Sequence, residues 1–303
     1  MSFSFSIDRE QATDRYIALR ERMPQAQFPK QSIHIDNLES ITEDIDAFVL
    51  DGFGVLNLGD EPIPNAVERI ANLQTAGCTV WVLTNGATLP AASSAQKYDK
   101  WGFNIKASNV VSSRDALMRG IAHHPADWRW GIAATDFAQI DQLSPHSSLL
   151  LDDAPIYNDC DAFILLSTKD WSDYRQQLLE AALKVRPRPV LVGNPDLVAP
   201  HPGRISIEPG YFAHQTQDVT GVVPEFYGKP FKDAFDIVSE QLVDIPPHRI
   251  AMVGDTLHTD ILGGAAAGWK TVLITDFGLF KGCDVEEAIE RSGIRPDYIA
   301  PVT

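Results

Sequence analysis

The chain predicts a three-layer α/β fold built on a parallel sheet, with a second, smaller α/β unit inserted into it. Three observations predict this. Continuous apolar runs recur and end on polar residues: residues 46–50 before Asp51, 78–83 before Thr84-Asn85-Gly86, 249–253 before Gly254-Asp255, and 271–274 before Asp276. Runs apolar on both faces are the mark of strands covered by helices on each side. Helical stretches separate them, which makes right-handed βαβ crossovers. Between the early and late runs lies a segment with short apolar runs of its own.

Taken in order, residues 1–30 carry Asp8, Arg9, Glu10, Asp14, Arg15, Arg20, Glu21 and Arg22. That charge density excludes a signal peptide and predicts a surface helix. The run 46–50 is a buried strand. Residues 64–76 place Ala66, Val67, Ile70 and Leu73 at helical spacing and stop at Gly77, as a helix followed by a glycine cap does. Residues 78–83 form the next strand, and a helix follows Pro90. The interposed segment has strands at 131–134, 148–151, 162–167 and 189–192. The first pattern then returns: a helix at 232–242, a strand at 249–253, a small-residue helix at 260–268 and a strand at 271–274. The expected division is a core domain at 1–112 with an N-terminal helical extension, an inserted α/β domain at 113–195, and the rest of the core at 196–303.

Composition excludes several classes. With 303 residues and 44% hydrophobic content the chain can bury a large core. A formal net charge of −16 repels phosphate backbones and anionic lipid, so nucleic acid is not an expected partner. No stretch reaches the roughly 18 apolar residues of a membrane span. Cys78, Cys160 and Cys283 are odd in number and lack paired spacing, so they read as packing thiols in a reducing, cytoplasmic setting. The tryptophans Trp128, Trp130 and Trp171 of the interposed segment read as packing residues too.

The chemistry gathers at strand ends, where open α/β sheets bind ligands. Asp51 ends a buried run, and a charge there is costly without an answering group. Each companion has a bland alternative: Thr84-Asn85 as a turn, Lys229 as a solvated charge, Asp255 as a helix cap, Asn194-Pro195-Asp196 as a loop. Asp51 and Asp255 brought together would repel, and keeping both ionised requires a cation; an all-oxygen site suits Mg²⁺.

In this order, Asp51, Thr84-Asn85-Gly86, Val111-Ser112-Ser113, Gly193-Asn194-Pro195-Asp196, Tyr227-Gly228-Lys229-Pro230 and Gly254-Asp255-Thr256-Leu257-His258-Thr259-Asp260 resemble the haloacid dehalogenase superfamily. They resemble its class IIA branch, with the N-acetylglucosamine-operon and 4-nitrophenyl phosphatases, over residues of about 45–274. The resemblance implies a Rossmann-like core with a class II cap over the active-site end. It implies a hydrolase in which Asp51 is the nucleophile and Thr84, with Asn85 and the amides near Gly86, cradles a phosphoryl group. Lys229 would neutralise charge. Asp51, the Phe53 backbone carbonyl, Asp255 and Asp260 would serve Mg²⁺. His258, inside the last motif, is a candidate for touching substrate; His201 and His214 are weaker ones.

One position departs from the family. Its phosphatases carry a second Asp two residues after the nucleophile to move the proton of the leaving group; here Phe53 stands there. A phenyl ring transfers no proton, which removes a factor of about 10² to 10⁴ unless another acid, such as Asp152 or Asp153, substitutes. The leading expectation is Mg²⁺-dependent hydrolysis of a small phosphorylated metabolite through an aspartyl-phosphate. The alternatives are a phosphoryl-ligand-binding or regulatory protein without turnover and, ranked lower, a dehalogenase. Oligomeric state is left open, with the inserted unit available as a dimer surface.

Overall fold

A computed structural model describes residues 7–201 and 204–303. A seven-stranded, wholly parallel sheet orders its strands Ile33–His34, Tyr298–Ala300, Lys270–Ile274, Ile250–Gly254, Ala47–Leu50, Thr79–Thr84 and Val110–Ser112. The alternation of side chains explains why its inner strands are apolar throughout. Phe48 and Leu50 enter one hydrophobic cluster with Val80, Val82, Ala251 and Val253, whereas Ala47 and Val49 enter another with Trp81, Leu83, Ile250 and Met252. Each face is therefore a core.

The central pairing positions the chemistry. Ala47–Leu50 lies between Thr79–Thr84 and Ile250–Gly254, in parallel register with both. Asp51, Thr84 and Asp255 therefore emerge at one carboxyl edge from three neighbouring strands. The helix Ala66–Thr75, which makes the crossover, buries Ala66, Ile70 and Leu73.

A second parallel sheet orders its strands Glu225–Phe226, Val190–Val192, Ala162–Leu165, Trp130–Ala133 and Ser147–Leu149. It draws its last strand from beyond residue 195, where the inserted unit was expected to end. One face joins the core, with Trp130, Ile132, Ala162, Ile164 and Leu191 in the cluster that holds Val49 and Leu83. The opposite face packs Phe163, Leu165, Val190 and Val192 under its own helices. The junction is fixed by Arg114, 1% exposed, whose guanidinium donates to the carbonyl oxygens of Thr88 (3.0 Å), Ala138 (2.7 Å) and Gln139 (2.7 Å).

Several elements differ from expectation. The N-terminal helix, Arg9–Ala18, begins with a capping box at Asp8 and Gln11. It is not merely a surface helix: Ala12, Tyr16 and Leu19 join a cluster with Leu197, Leu257, Ile261 and Phe280. The helix expected at 260–268 is the shorter Leu262–Ala266, preceded by a π-helical turn, Leu257–Ile261. Trp130 is buried and Trp171 Nε1 donates to Gln176, as packing residues should. Cys78 and Cys160 are buried free thiols, whereas Cys283 is exposed. No helix among the described residues is long and apolar enough to cross a membrane.

Candidate active site

The site grows from the two central strand ends. Asp51 continues the strand by donating its backbone N–H to Val253 O (2.8 Å), while its Oδ1 accepts the Gly52 N–H (2.7 Å). Lys229, 1% exposed, sets its Nζ 2.7 Å from Asp51 Oδ1 and 2.7 Å from Asp260 Oδ1. Asp255, 3% exposed, accepts the Leu279 N–H at Oδ2 (2.8 Å) and the Thr256 hydroxyl at Oδ1 (3.1 Å). Asp260 Oδ2 accepts the Thr256 N–H (3.1 Å), an arrangement set up by the π-helical turn. Oxygens of Asp51, Asp255 and Asp260 lie within 4.8 Å of one another.

Two glycines make this approach sterically feasible. Gly54 and Gly278 both have positive φ, 76° and 74°, and a Cβ on either would fall 2.6 Å and 1.8 Å from Asp255 Oδ2. Only a residue without a side chain adopts that conformation at that distance from a carboxylate.

Three clustered carboxylates beside one ammonium, which pairs with Asp51 and Asp260, leave unbalanced negative charge. Burial raises the Asp255 pKa well above the ordinary carboxylate range, and the charges of Asp260 and Asp51 raise it further. Burial also pushes Asp260 up, to about 6, against the pull of Lys229. For Lys229 burial works in the opposite sense, but Asp260, Asp51 and Asp196 more than offset it and hold the ammonium above the ordinary lysine range. Such a charge excess, in an all-oxygen donor set cradled by backbone, fits a small divalent cation.

Asn85 ties the remaining parts together. Its Oδ1 accepts the Lys229 N–H (2.7 Å), and its Nδ2 donates to Lys229 O (2.9 Å) and to Asp196 Oδ1 (2.8 Å). Its own carbonyl accepts the Ser113 hydroxyl. Thr84 and Gly86 form the adjoining turn, Thr84 Oγ1 accepting the Gly86 N–H (3.1 Å). Phe53, half-buried, bridges to Asn57 in the loop after Asp51.

His258 is placed otherwise than a substrate ligand on an open cleft would be. It is buried beneath Tyr16, with ring centroids 4.9 Å apart, and burial, with a smaller push from Arg20, pulls its pKa down to about 3. His214 is buried against Phe226 in the second unit, and the His201 side chain lies outside the described residues. Asp152 is exposed and held by Arg175 Nε at 2.8 Å, and Asp153 is exposed at the start of the helix Ala154–Asp159. Two participants were not read as site residues from sequence. Asp196 lay inside a motif already noted; Tyr16 carried no signal beyond helical spacing.

A parallel α/β sheet with a carboxylate cluster and a lysine at its carboxyl edge, carrying a second α/β unit between its strands, defines a class of hydrolases. The chain belongs to the haloacid dehalogenase superfamily, class IIA branch. The profile described as haloacid dehalogenase-like hydrolase matches residues 48–139, and one described as HAD-hydrolase-like matches 226–302. Human glycerol-3-phosphate phosphatase is 25% identical over 87% of this chain and 90% of its own. An acid sugar phosphatase of Staphylococcus saprophyticus is 25% identical over 83% and 93%. The solved structure of a possible sugar phosphatase from Cytophaga hutchinsonii superposes with a TM-score of 0.78, at 25% identity, covering 89% of this chain and 98% of the other.

Proposed function

We propose that the protein is a Mg²⁺-dependent phosphatase acting on a small phosphorylated metabolite, with Asp51 as the nucleophile. The observation that carries this reading is the gathering of Asp51, Asp255 and Asp260 within 4.8 Å of one another, with the buried Lys229 on Asp51 and Asp260. Asp51, Asp255, Asp260 and the Phe53 carbonyl would hold the cation, which when bound draws charge from the phosphoryl oxygens. Asp51 attacks phosphorus in line, the ester P–O bond breaks, and the leaving oxygen departs with the bonding pair as an alkoxide or phenoxide that takes its proton from solvent. Lys229 steadies Asp51 and the equatorial phosphoryl charge, while Asn85 fixes the Lys229 backbone. Thr84 and the amides near Gly86 cradle the other oxygens. Water then attacks phosphorus, the P–O bond to Asp51 breaks with its electron pair returning to the carboxylate, and inorganic phosphate leaves, the water's proton passing to solvent.

The unit built on the second sheet acts in this reading as a cap, its expected span of 113–195 drawn out to Phe226 by the strand Glu225–Phe226. Buried free thiols at Cys78 and Cys160 support a cytoplasmic setting. The names of the relatives support small phosphate esters as substrates.

Phe53 favours a second reading, a protein that binds phosphorylated ligands with little turnover. One kinetic comparison separates the two. Wild type with Mg²⁺ should turn over 4-nitrophenyl phosphate and acetyl phosphate, whose leaving groups need little protonation. Asp51→Asn should lose a factor on the order of 10⁴ or more. Phe53→Asp should gain about 10²-fold on alkyl phosphates. No turnover by wild type or by Phe53→Asp would defeat the phosphatase reading. A dehalogenase attacks carbon without a metal, and the three-carboxylate cluster argues against it.

A further inference from the structure

We propose that the N-terminal helix is a clasp across the site and that Tyr16 is a positioning residue for the Asp196–Asn85–Lys229 relay. Tyr16 touches residues that flank both ends of the polar network. Its Oη accepts the backbone N–H of Leu197 (2.9 Å), the residue directly after Asp196. Its ring stacks on His258 at 4.9 Å and 15°, in the same π-helical turn that carries Asp260. Asp196 in turn accepts from Asn85, Asn85 holds the Lys229 backbone, and Lys229 Nζ reaches Asp51 and Asp260. The loop that leaves the second sheet at Asn194-Pro195-Asp196 is thereby referenced to the core turn through one phenol.

The helix itself is anchored on both sides. Arg15 and Arg22 each reach Asp218 at 2.5 Å, on the helix Pro209–Thr220 that covers the second sheet. Asp14 pairs with Arg291 on the core helix Val285–Ser292. Ala12, Tyr16, Leu19 and Met23 fill a cluster made jointly by Leu197 and Val198 and by Leu257, Ile261 and Leu262. The surface ion pairs orient the helix, each worth little by itself. The buried contacts hold it, and the Leu197 N–H, buried with its residue, has its acceptor in Tyr16. Without that acceptor the amide is left unsatisfied, which favours local opening of the Asp196 loop.

Full-length Tyr16→Phe tests this, since it keeps the ring and removes only the acceptor. Hydrogen exchange at residues 193–199 should quicken at least about tenfold while the strands Ala47–Leu50 and Ile250–Gly254 keep their protection. With 4-nitrophenyl phosphate and Mg²⁺, kcat should fall about tenfold, the scale of a slightly misplaced group, with KM within about threefold of wild type. The kinetic arm rests on the phosphatase reading; the exchange arm does not. A wild type without turnover would count against that reading alone. Wild-type exchange and kcat in Tyr16→Phe would overturn the clasp, and so would a uniform rise in exchange across the core, which marks general destabilisation. If Tyr16→Phe does not fold, Met23→Ala, a milder loss from the same buried cluster, decides by the same readouts: quicker exchange at 193–199 with the core strands protected supports the clasp and wild-type exchange overturns it.

Discussion

The carboxyl edge of the seven-stranded sheet and the interior of the five-stranded unit both bury charge, but they answer it differently. At the sheet edge, Asp51, Asp255 and Asp260 crowd together, and one cation, Lys229, pairs with Asp51 and Asp260. At the junction, Arg114 is surrounded by backbone carbonyl oxygens, and inside the second unit Glu180 accepts from Gln176 Nε2 (2.8 Å) and Gln215 Nε2 (3.1 Å). Neutral dipoles aimed at a single charge leave nothing for a ligand to do. Like charges crowded together leave a place for a cation. Burial alone thus does not separate site from scaffold; the sign and balance of the neighbours do.

The sharpest way to break the comparison is at Arg114. Arg114→Met keeps much of the stem's volume but strips the carbonyls of Thr88, Ala138 and Gln139 of their donor. The expected cost is about 3–5 kcal/mol of stability, read from denaturant midpoints. At a temperature where the variant is folded, the stabilisation by added Mg²⁺ should match that of wild type. A variant that stays stable but loses its response to Mg²⁺ would place Arg114 with the site instead of the scaffold.

A smaller effect, and one with a pH signature, is expected in the second unit. His214 is 1% exposed and stacked on Phe226. Burial, then the charges of Arg22 and Arg15, pulls its pKa down to about 4, with Asp218 opposing. A base whose pKa is depressed on folding binds its proton more readily when unfolded. Its contribution is therefore complete above the ordinary value of 6.5 and is lost as pH falls through about 4. That loss is on the order of 3 kcal/mol at ~1.4 kcal/mol per pH unit. His214→Phe has no proton to take up and keeps the stacking. Between pH 6.5 and 4 its urea midpoint should fall less steeply than that of wild type; parallel curves would refute the assignment.

What the sequence made legible follows the same division. The inner strands could be read because both faces are core: Phe48 and Leu50 turn one way, Ala47 and Val49 the other, and the run is apolar throughout. Asp51 and Asp255 could be listed because polar residues at the ends of such runs are unusual; Lys229 and Asp260 came from the order of the family's motifs. The two-residue strands Ile33–His34 and Glu225–Phe226 could not be read. They are too short for a period, and an exposed His or Glu hides the pairing. The second of them pairs in the second sheet although it lies beyond residue 195, where the inserted unit was expected to end. Tyr16 was illegible for another reason. Its partners, Leu197 and His258, lie far along the chain, and only the folded cluster explains its burial. Cys283 misled because cysteine is so often buried; here it is exposed.

The comparison is sharpened most finely at Asp255. If crowded like charge is the cost of keeping a cation site ready, neutralising one of its acids should stabilise the protein without metal while abolishing its response to metal. Asp255→Asn keeps an amide oxygen for the Leu279 N–H, turns its Nδ2 toward the Thr256 hydroxyl, which can rotate to accept, and removes one negative charge from beside Asp260 and Asp51. In chelator at pH 7.5 the variant should be more stable than wild type by about 1 kcal/mol, a rise of roughly 2–4 °C in Tm. Millimolar Mg²⁺ should raise the Tm of wild type and leave the variant nearly unmoved. A variant less stable than wild type in chelator would mean that Lys229 and the backbone donors already balance the three carboxylates. The sheet edge would then be scaffold of the same kind as the Arg114 junction, and the contrast between the two regions would not hold.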